Sequence, residues 1–135
     1  MSKTRKTHQP HNSKAAATVN KSKRERSTLL TIAIILVIVN HVILAGLAYY
    51  DLTNNAVQAK SLYMPILLLT SVASIAAGVA MWFWKSWGFQ LYIASALVAA
   101  TSAFLNTGYI LVLFASVLPP FIVAYIYLPL QKYFD

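Results

Sequence analysis

Four long apolar runs dominate the chain after residue 28. They span about 29–50, 62–84, 88–105 and 109–128, and charged residues are absent from their interiors. Each run is close to the roughly 20 residues that a helix needs to cross a hydrocarbon layer about 30 Å thick. The alternating polarity of barrel strands is absent, and helices are the open-chain structures that satisfy their own backbone hydrogen bonds in lipid. The pattern predicts an all-α, polytopic membrane protein.

Short polar links separate the last three runs. Residues 85–87 and 106–108 are too few for anything but tight turns between antiparallel helices, and the second link ends on Gly108, a residue typical of turns. The sequence therefore predicts an up-down bundle of four transmembrane helices over residues 28–135, preceded by a separate segment, 1–27.

Composition agrees with the apolar runs. Hydrophobic residues make up 59% of the 135 residues and charged residues only 10%, and the mean hydropathy is +0.62. A soluble domain needs roughly a quarter of its residues charged, so this composition excludes a soluble globular protein. The chain also has no cysteine, which excludes disulfides and thiol chemistry.

The net charge of +8 is concentrated at one end. Residues 1–27 hold eight of the 11 basic residues and one of the three acids, a net of +7, with little that is large and apolar. Such a segment is expected to be disordered. Its basic cluster next to the first run is expected to contact anionic headgroups or an acidic partner, and nucleic acid is not expected; the cluster comprises Lys21, Lys23, Arg24 and Arg26.

The same asymmetry predicts the orientation. If residues 1–27 are cytoplasmic, that side also receives Lys85 and Lys132, while the opposite side has Lys60 alone, against Asp51. Basic residues favour the cytoplasmic side of a membrane. We therefore expect both the N- and the C-terminus in the cytoplasm, with the helices in a cell membrane.

Polar residues near the middle of the spans are the candidate site. His41 and Asn40 lie about 17 Å into the first span, a depth where polar side chains are rare and usually face the bundle interior. Residues of the other spans project to a similar depth, and tandem prolines there predict a kinked fourth helix. This candidate buried polar layer comprises Asn40, His41, Ser74, Ser95, Ser116, Pro119 and Pro120. It either binds a small ligand or only fixes helix packing.

The link between the second and third runs carries a recognisable pattern. Trp82-Phe83-Trp84-Lys85-Ser86-Trp87-Gly88-Phe89 resembles the corresponding hairpin of small, uncharacterised four-helix bacterial inner-membrane proteins. The resemblance implies the four-helix fold and a bacterial inner membrane but no activity. Physically, we expect Gly88 to allow the backbone turn and the closing of the hairpin.

These residues predict a function without catalysis. No span contains Asp or Glu, so the membrane carboxylate on which small multidrug-resistance transporters depend is absent, as are a metal set, a cofactor site and an activated nucleophile. We expect a structural or accessory subunit that packs in the bilayer with itself or a larger complex. The alternative is a small oligomeric transporter or channel for a neutral or weakly polar solute.

Overall fold

The computed structural model describes residues 27–55 and 61–135, which form an all-helical structure. The helices are α1 (Thr28–Asn54), α2 (Tyr63–Trp82), α3 (Ser86–Thr107) and α4 (Ile110–Tyr127), and a 3-10 helix over Leu128–Tyr133 follows α4. Four helices are long and apolar enough to cross a membrane, the fourth counted through Tyr133. The predicted number, order and type of elements are confirmed to this extent. The membrane orientation stays a prediction.

The helix ends differ from the predicted boundaries where polar side chains bond to the backbone. The first helix continues past residue 50 to Asn54, and its last backbone hydrogen bond runs from the Asn55 amide to the Asp51 carbonyl at 2.9 Å. In this last turn the Thr53 hydroxyl also donates to the Tyr49 carbonyl at 3.0 Å and the Asn54 side-chain amide to the Tyr50 carbonyl at 3.0 Å. Hydropathy alone does not register them.

The helices pack in chain order. α2 has extensive contacts with both α1 and α3, α3 packs against α4, and α1 and α4 meet over a much smaller area. Small residues make the contacts of α2 close: Thr70, Ser74, Ala77 and Gly78 are all buried. Small side chains let helix backbones approach in a membrane, so this small-residue face of α2 is where it packs.

The hairpin between α2 and α3 turns at a different residue from the one predicted. Trp84, not Gly88, takes the left-handed conformation of the turn, with φ of 62°. Gly88 is buried inside α3, where an added Cβ would lie 2.7 Å from the Ala77 carbonyl oxygen and 2.8 Å from the Ala80 Cβ. Its missing side chain therefore permits the close approach of α3 to α2, in keeping with the expectation that Gly88 lets the hairpin close. The expectation that Gly88 allows the backbone turn is wrong.

The hairpin between α3 and α4 follows the sequence more closely. Gly108 has φ of 71°, and its amide donates to the Phe104 carbonyl at 2.7 Å. Glycine adopts this conformation without the steric cost of a Cβ. With Gly108 and Tyr109 alone between the two helices, the predicted tight turn is confirmed.

The segment after α4 folds back onto the α2–α3 hairpin. The Asp135 amide donates to the Trp84 carbonyl at 2.9 Å, and the Asp135 carbonyl accepts from the Ser86 amide at 2.9 Å. Phe134 packs against the rings of Trp84 and Tyr127, with centroids 5.0 and 4.6 Å away, and Tyr127 stacks on Phe89 at 4.0 Å. We call the cluster of Trp84, Phe89, Tyr127 and Phe134 the aromatic clasp; it closes this end of the bundle.

Candidate functional site: a groove between α1 and α4

The limited contact between α1 and α4 leaves a groove between them. Its volume is about 430 Å³, within the range of roughly 300–1,000 Å³ that is typical of small-molecule sites. The groove runs from the end of the bundle where α1 begins towards the middle of α1 and α4. Its lining consists of Leu29, Ile32, Ala33, Leu36, Val37, Asn40, His41, Tyr92, Pro119, Ile122, Val123 and Ile126. This lining is apolar except for Asn40, His41 and Tyr92.

His41 is half-buried in the wall of the groove. Its Nδ1 lies 2.8 Å from the Val37 carbonyl oxygen, and its ring meets that of Tyr92 edge-on, with centroids 6.0 Å apart. Because a carbonyl oxygen can only accept, Nδ1 carries the hydrogen in this contact. In the neutral ring Nε2 is then a hydrogen-bond acceptor. The backbone of α1 thus fixes which nitrogen of His41 is available.

Asn40 and Tyr92 both line the groove, but they differ in how exposed they are. Asn40 is exposed on α1, whereas the Tyr92 side chain is 1% exposed and lies between the helices. Neither the Asn40 amide nor the Tyr92 hydroxyl forms a hydrogen bond with any residue in the described ranges 27–55 and 61–135. The groove therefore contains polar groups with unused capacity for hydrogen bonding.

Ser74 and Ser95 belong to the bundle interior, outside this groove. Their hydroxyl oxygens lie 2.8 Å apart, and Ser95 donates to the Tyr92 carbonyl at 2.9 Å. Since the Ser95 hydrogen is engaged, Ser74 is the donor in the contact between the two serines. The pair fastens α2 to α3, and both of its hydrogens are used within the protein.

The remaining members of the predicted layer lie on α4 and face different ways. The Ser116 hydroxyl donates to the Val112 carbonyl at 2.7 Å, so its single hydrogen does not compensate the amides that the prolines lack. Pro119 is exposed and lines the groove. Pro120 is buried and lines a second cavity, beside α3 and including Phe89 and Ile93. α4 remains one helix through both prolines.

The predicted layer is thus divided within the single chain. Asn40, His41 and Pro119 lie along the groove, Ser74 and Ser95 form an interior pair, and the other two residues are elsewhere on α4. Asn40 and Pro119 are exposed, so the seven residues do not form one continuous buried layer; helix rotation, which depth alone does not specify, separates them. The predicted lipid or partner contacts Lys21, Lys23, Arg24 and Arg26 lie outside the described residues.

Tyr92 is the groove residue that sequence reasoning missed. It stands three residues before Ser95 and four before Ala96 on the buried face of α3. That helical spacing was the available signal. A large aromatic side chain on a face of small residues indicates a position where a neighbouring helix leaves room, which here is the groove.

Metal ligation finds no support in the arrangement. No three His, Cys, Asp or Glu side chains come together within residues 27–55 and 61–135. The chemistry available at the groove is hydrogen bonding to a polar group in apolar surroundings. Comparison with protein-family models, with curated proteins and with solved structures finds no match to this chain.

Proposed function

We propose that the protein is a non-enzymatic structural or accessory subunit that packs in the bilayer with itself or with a larger membrane complex. The observation that carries this proposal is the unequal burial of the four helices. The apolar windows of α1 and α4 are each 17% buried, against 39% for α2 and 33% for α3. The bundle therefore presents two largely uncovered apolar helices side by side, and these are the surface on which we place the partner.

The proposal includes a cell-membrane location, in a bacterial inner membrane, with residues 1–27 and the segment after α4 in the cytoplasm. The support for the orientation is the charge distribution of the sequence, in which eight of 11 basic residues precede residue 28. The bacterial inner membrane is what the resemblance of the hairpin at residues 82–89 implies. Each basic residue near an anionic leaflet contributes up to about 1 kcal/mol of attraction. The tail then fixes the orientation and is available to an acidic partner.

Site-specific crosslinking tests the proposed packing. The chain has no cysteine, so a single introduced thiol can carry a short photocrosslinker at a unique position. Ile43→Cys on α1 and Leu118→Cys on α4 are expected to form a defined adduct in native membranes; these side chains are 57% and 60% exposed. Leu69→Cys on α2, which is 70% exposed, is the matched control and is expected to crosslink only to lipid.

Purification in mild detergent gives the complementary result. A stable homo-oligomer or a stoichiometric partner that remains bound supports the proposal. A monodisperse monomer without a partner, combined with no protein adduct from Ile43→Cys or Leu118→Cys, would overturn it.

The second candidate is a small oligomeric transporter or channel for a neutral or weakly polar solute. The observation that favours it is the position of His41 and Pro119 along a groove in the middle of the helices. In proteoliposomes, solute flux that falls on His41 or Pro119 substitution would favour this candidate. No flux across a broad panel of neutral solutes would leave the accessory subunit as the better proposal.

A further inference from the structure

Most serine and threonine hydroxyls of the described helices bond to a carbonyl of their own helix; Ser71, which has no partner among the described residues, and Ser74, which bonds to Ser95, are exceptions. Bonds of 2.7 to 2.9 Å to a carbonyl three or four residues earlier occur at Thr70, Thr101, Ser102, Thr107 and Ser116. This is the usual solution in lipid, where an unpaired polar group has no water to bond. The polar groups of the groove depart from that pattern.

Three groups with unused hydrogen-bonding capacity converge on the groove. They are the Nε2 of His41, the side-chain amide of Asn40 and the hydroxyl of Tyr92, none of which is bonded to another of the described residues. The contact between the His41 and Tyr92 rings and the adjacency of Asn40 and His41 in α1 place them in one region. Their hydrogen-bonding roles are complementary. The His41 Nε2 accepts, and the Asn40 amide and the Tyr92 hydroxyl can each donate and accept.

We propose that the groove binds a neutral, membrane-soluble molecule that has an apolar body and a hydroxyl group at one end. A hydroxyl can donate to the His41 Nε2 and at the same time accept from Tyr92 or Asn40. The apolar body lies along the apolar side chains of α1 and α4 that line the rest of the groove, such as Leu29 and Ile126. None of the described residues in the lining is charged, which suits a neutral occupant.

Other occupants fit the groove less well. A phospholipid acyl chain has no hydrogen-bonding group to offer and leaves the polar groups unpaired. A helix of a second copy is about 10 Å across with its side chains, whereas the occupant must reach Tyr92, which is 1% exposed. A slender molecule of the size of the groove reaches it. This inference does not require a protein partner, and a second copy of the chain that covers the groove would exclude it.

Photolabelling of the full chain in phosphatidylcholine vesicles tests the inference. The probe is a long-chain primary alcohol that carries a diazirine, and its matched control is the methyl ether of the same molecule, which cannot donate a hydrogen bond. We expect saturable labelling of peptides that contain His41 and Pro119. The ether is expected to compete roughly fivefold less well, since one hydrogen bond contributes about 1 kcal/mol.

Two substitutions identify the hydrogen-bonding groups. His41→Phe keeps an aromatic ring against Tyr92 but removes the acceptor, and Asn40→Leu removes an amide that is exposed and therefore does not hold the fold. Each is expected to weaken saturable labelling roughly fivefold. Ser116→Ala, on α4 but outside the groove lining, is the control and is expected to leave labelling unchanged.

Three results would overturn the inference. The first is equal labelling by the alcohol and the ether, which would show a groove for any hydrocarbon chain. The second is undiminished labelling of both His41→Phe and Asn40→Leu. The third is labelling confined to helix faces outside the groove, or a groove protected by a second copy of the chain.

Discussion

Two glycines inside the helices, Gly88 and Gly46, show how helix packing decides the effect of one added methyl group. Gly88 lies against the backbone of α2, whereas no atom lies within 4 Å of where a Cβ would be added to Gly46. Both residues are helical, so their intrinsic cost to the helix is the same. They differ because Gly88 lies where α3 packs on α2, whereas Gly46 lies at no contact between the described helices.

Gly88→Ala is expected to destabilise the protein by about 1–3 kcal/mol, because the new methyl group meets backbone atoms that cannot move aside. Gly46→Ala is expected to be neutral, or to stabilise by up to about 1 kcal/mol, because alanine is the better helix former. Unfolding of the two variants by increasing SDS in mixed micelles measures both effects. Equal stabilities would contradict the close approach at Gly88.

Two buried serines of α2 give a second residue-scale prediction. Ser74 bonds to Ser95 across the helix interface, whereas the Ser71 hydroxyl is enclosed without a partner among the described residues. Ser74→Ala is expected to destabilise by about 0.6 kcal/mol, the average for an interhelical bond in a membrane. Ser71→Ala is expected to be neutral or slightly stabilising, since it removes an unsatisfied group. The same SDS titration compares them, and a larger loss for Ser71→Ala would reverse the assignment.

At the scale of the elements, hydropathy predicts the number of helices and their approximate length. It does not predict how each helix is rotated about its own axis. The four helices and the tight turn at Gly108 follow from run lengths and a glycine. Among the small residues of α3, Ala96 and Ala100 are buried, whereas Ala99 and Ser102 are only partly buried. α3 packs against both α2 and α4, and no pattern within α3 states where its neighbours lie.

The aromatic clasp is a feature that the sequence does not predict. Its members come from the α2–α3 hairpin, the end of α4 and the segment after it, and their contact requires the fold to exist. Aromatic residues near helix ends are also expected simply as membrane-interface anchors. Separating these two roles requires the structure, which shows the ring contacts.

Phe134→Ala is expected to release residues 128–135 while the four helices remain folded, because it removes the ring that joins Trp84 to Tyr127. Hydrogen exchange followed by mass spectrometry should show faster exchange in this segment and unchanged exchange in α2. Tyr133→Ala is the matched control. The Tyr133 ring lies 5.1 Å from the Lys132 Nζ and is not a member of the clasp. Unchanged exchange in Phe134→Ala would show that the backbone bonds of Asp135 suffice.

At the scale of the whole molecule, the division of charge separates two functions of the chain. The described helices are nearly free of charge, and the +7 segment lies outside the described residues. Charge is therefore the basis of the predicted orientation, and the helices account for packing and for the groove. The groove itself was not predictable, because a polar residue at a known depth faces lipid, the interior or a gap according to how α1 and α4 are rotated.

Cysteine accessibility in intact cells is the most direct test of the four-span arrangement with a cytoplasmic N-terminus. Asn54→Cys and Asn106→Cys are expected to react with a membrane-impermeant maleimide in intact cells. Phe83→Cys and Gln131→Cys are expected to react only after permeabilisation. All four positions are exposed, none of the substitutions changes a charge, and the native chain has no thiol. Labelling of Phe83→Cys or Gln131→Cys in intact cells, or of all four positions on one side, would contradict the arrangement.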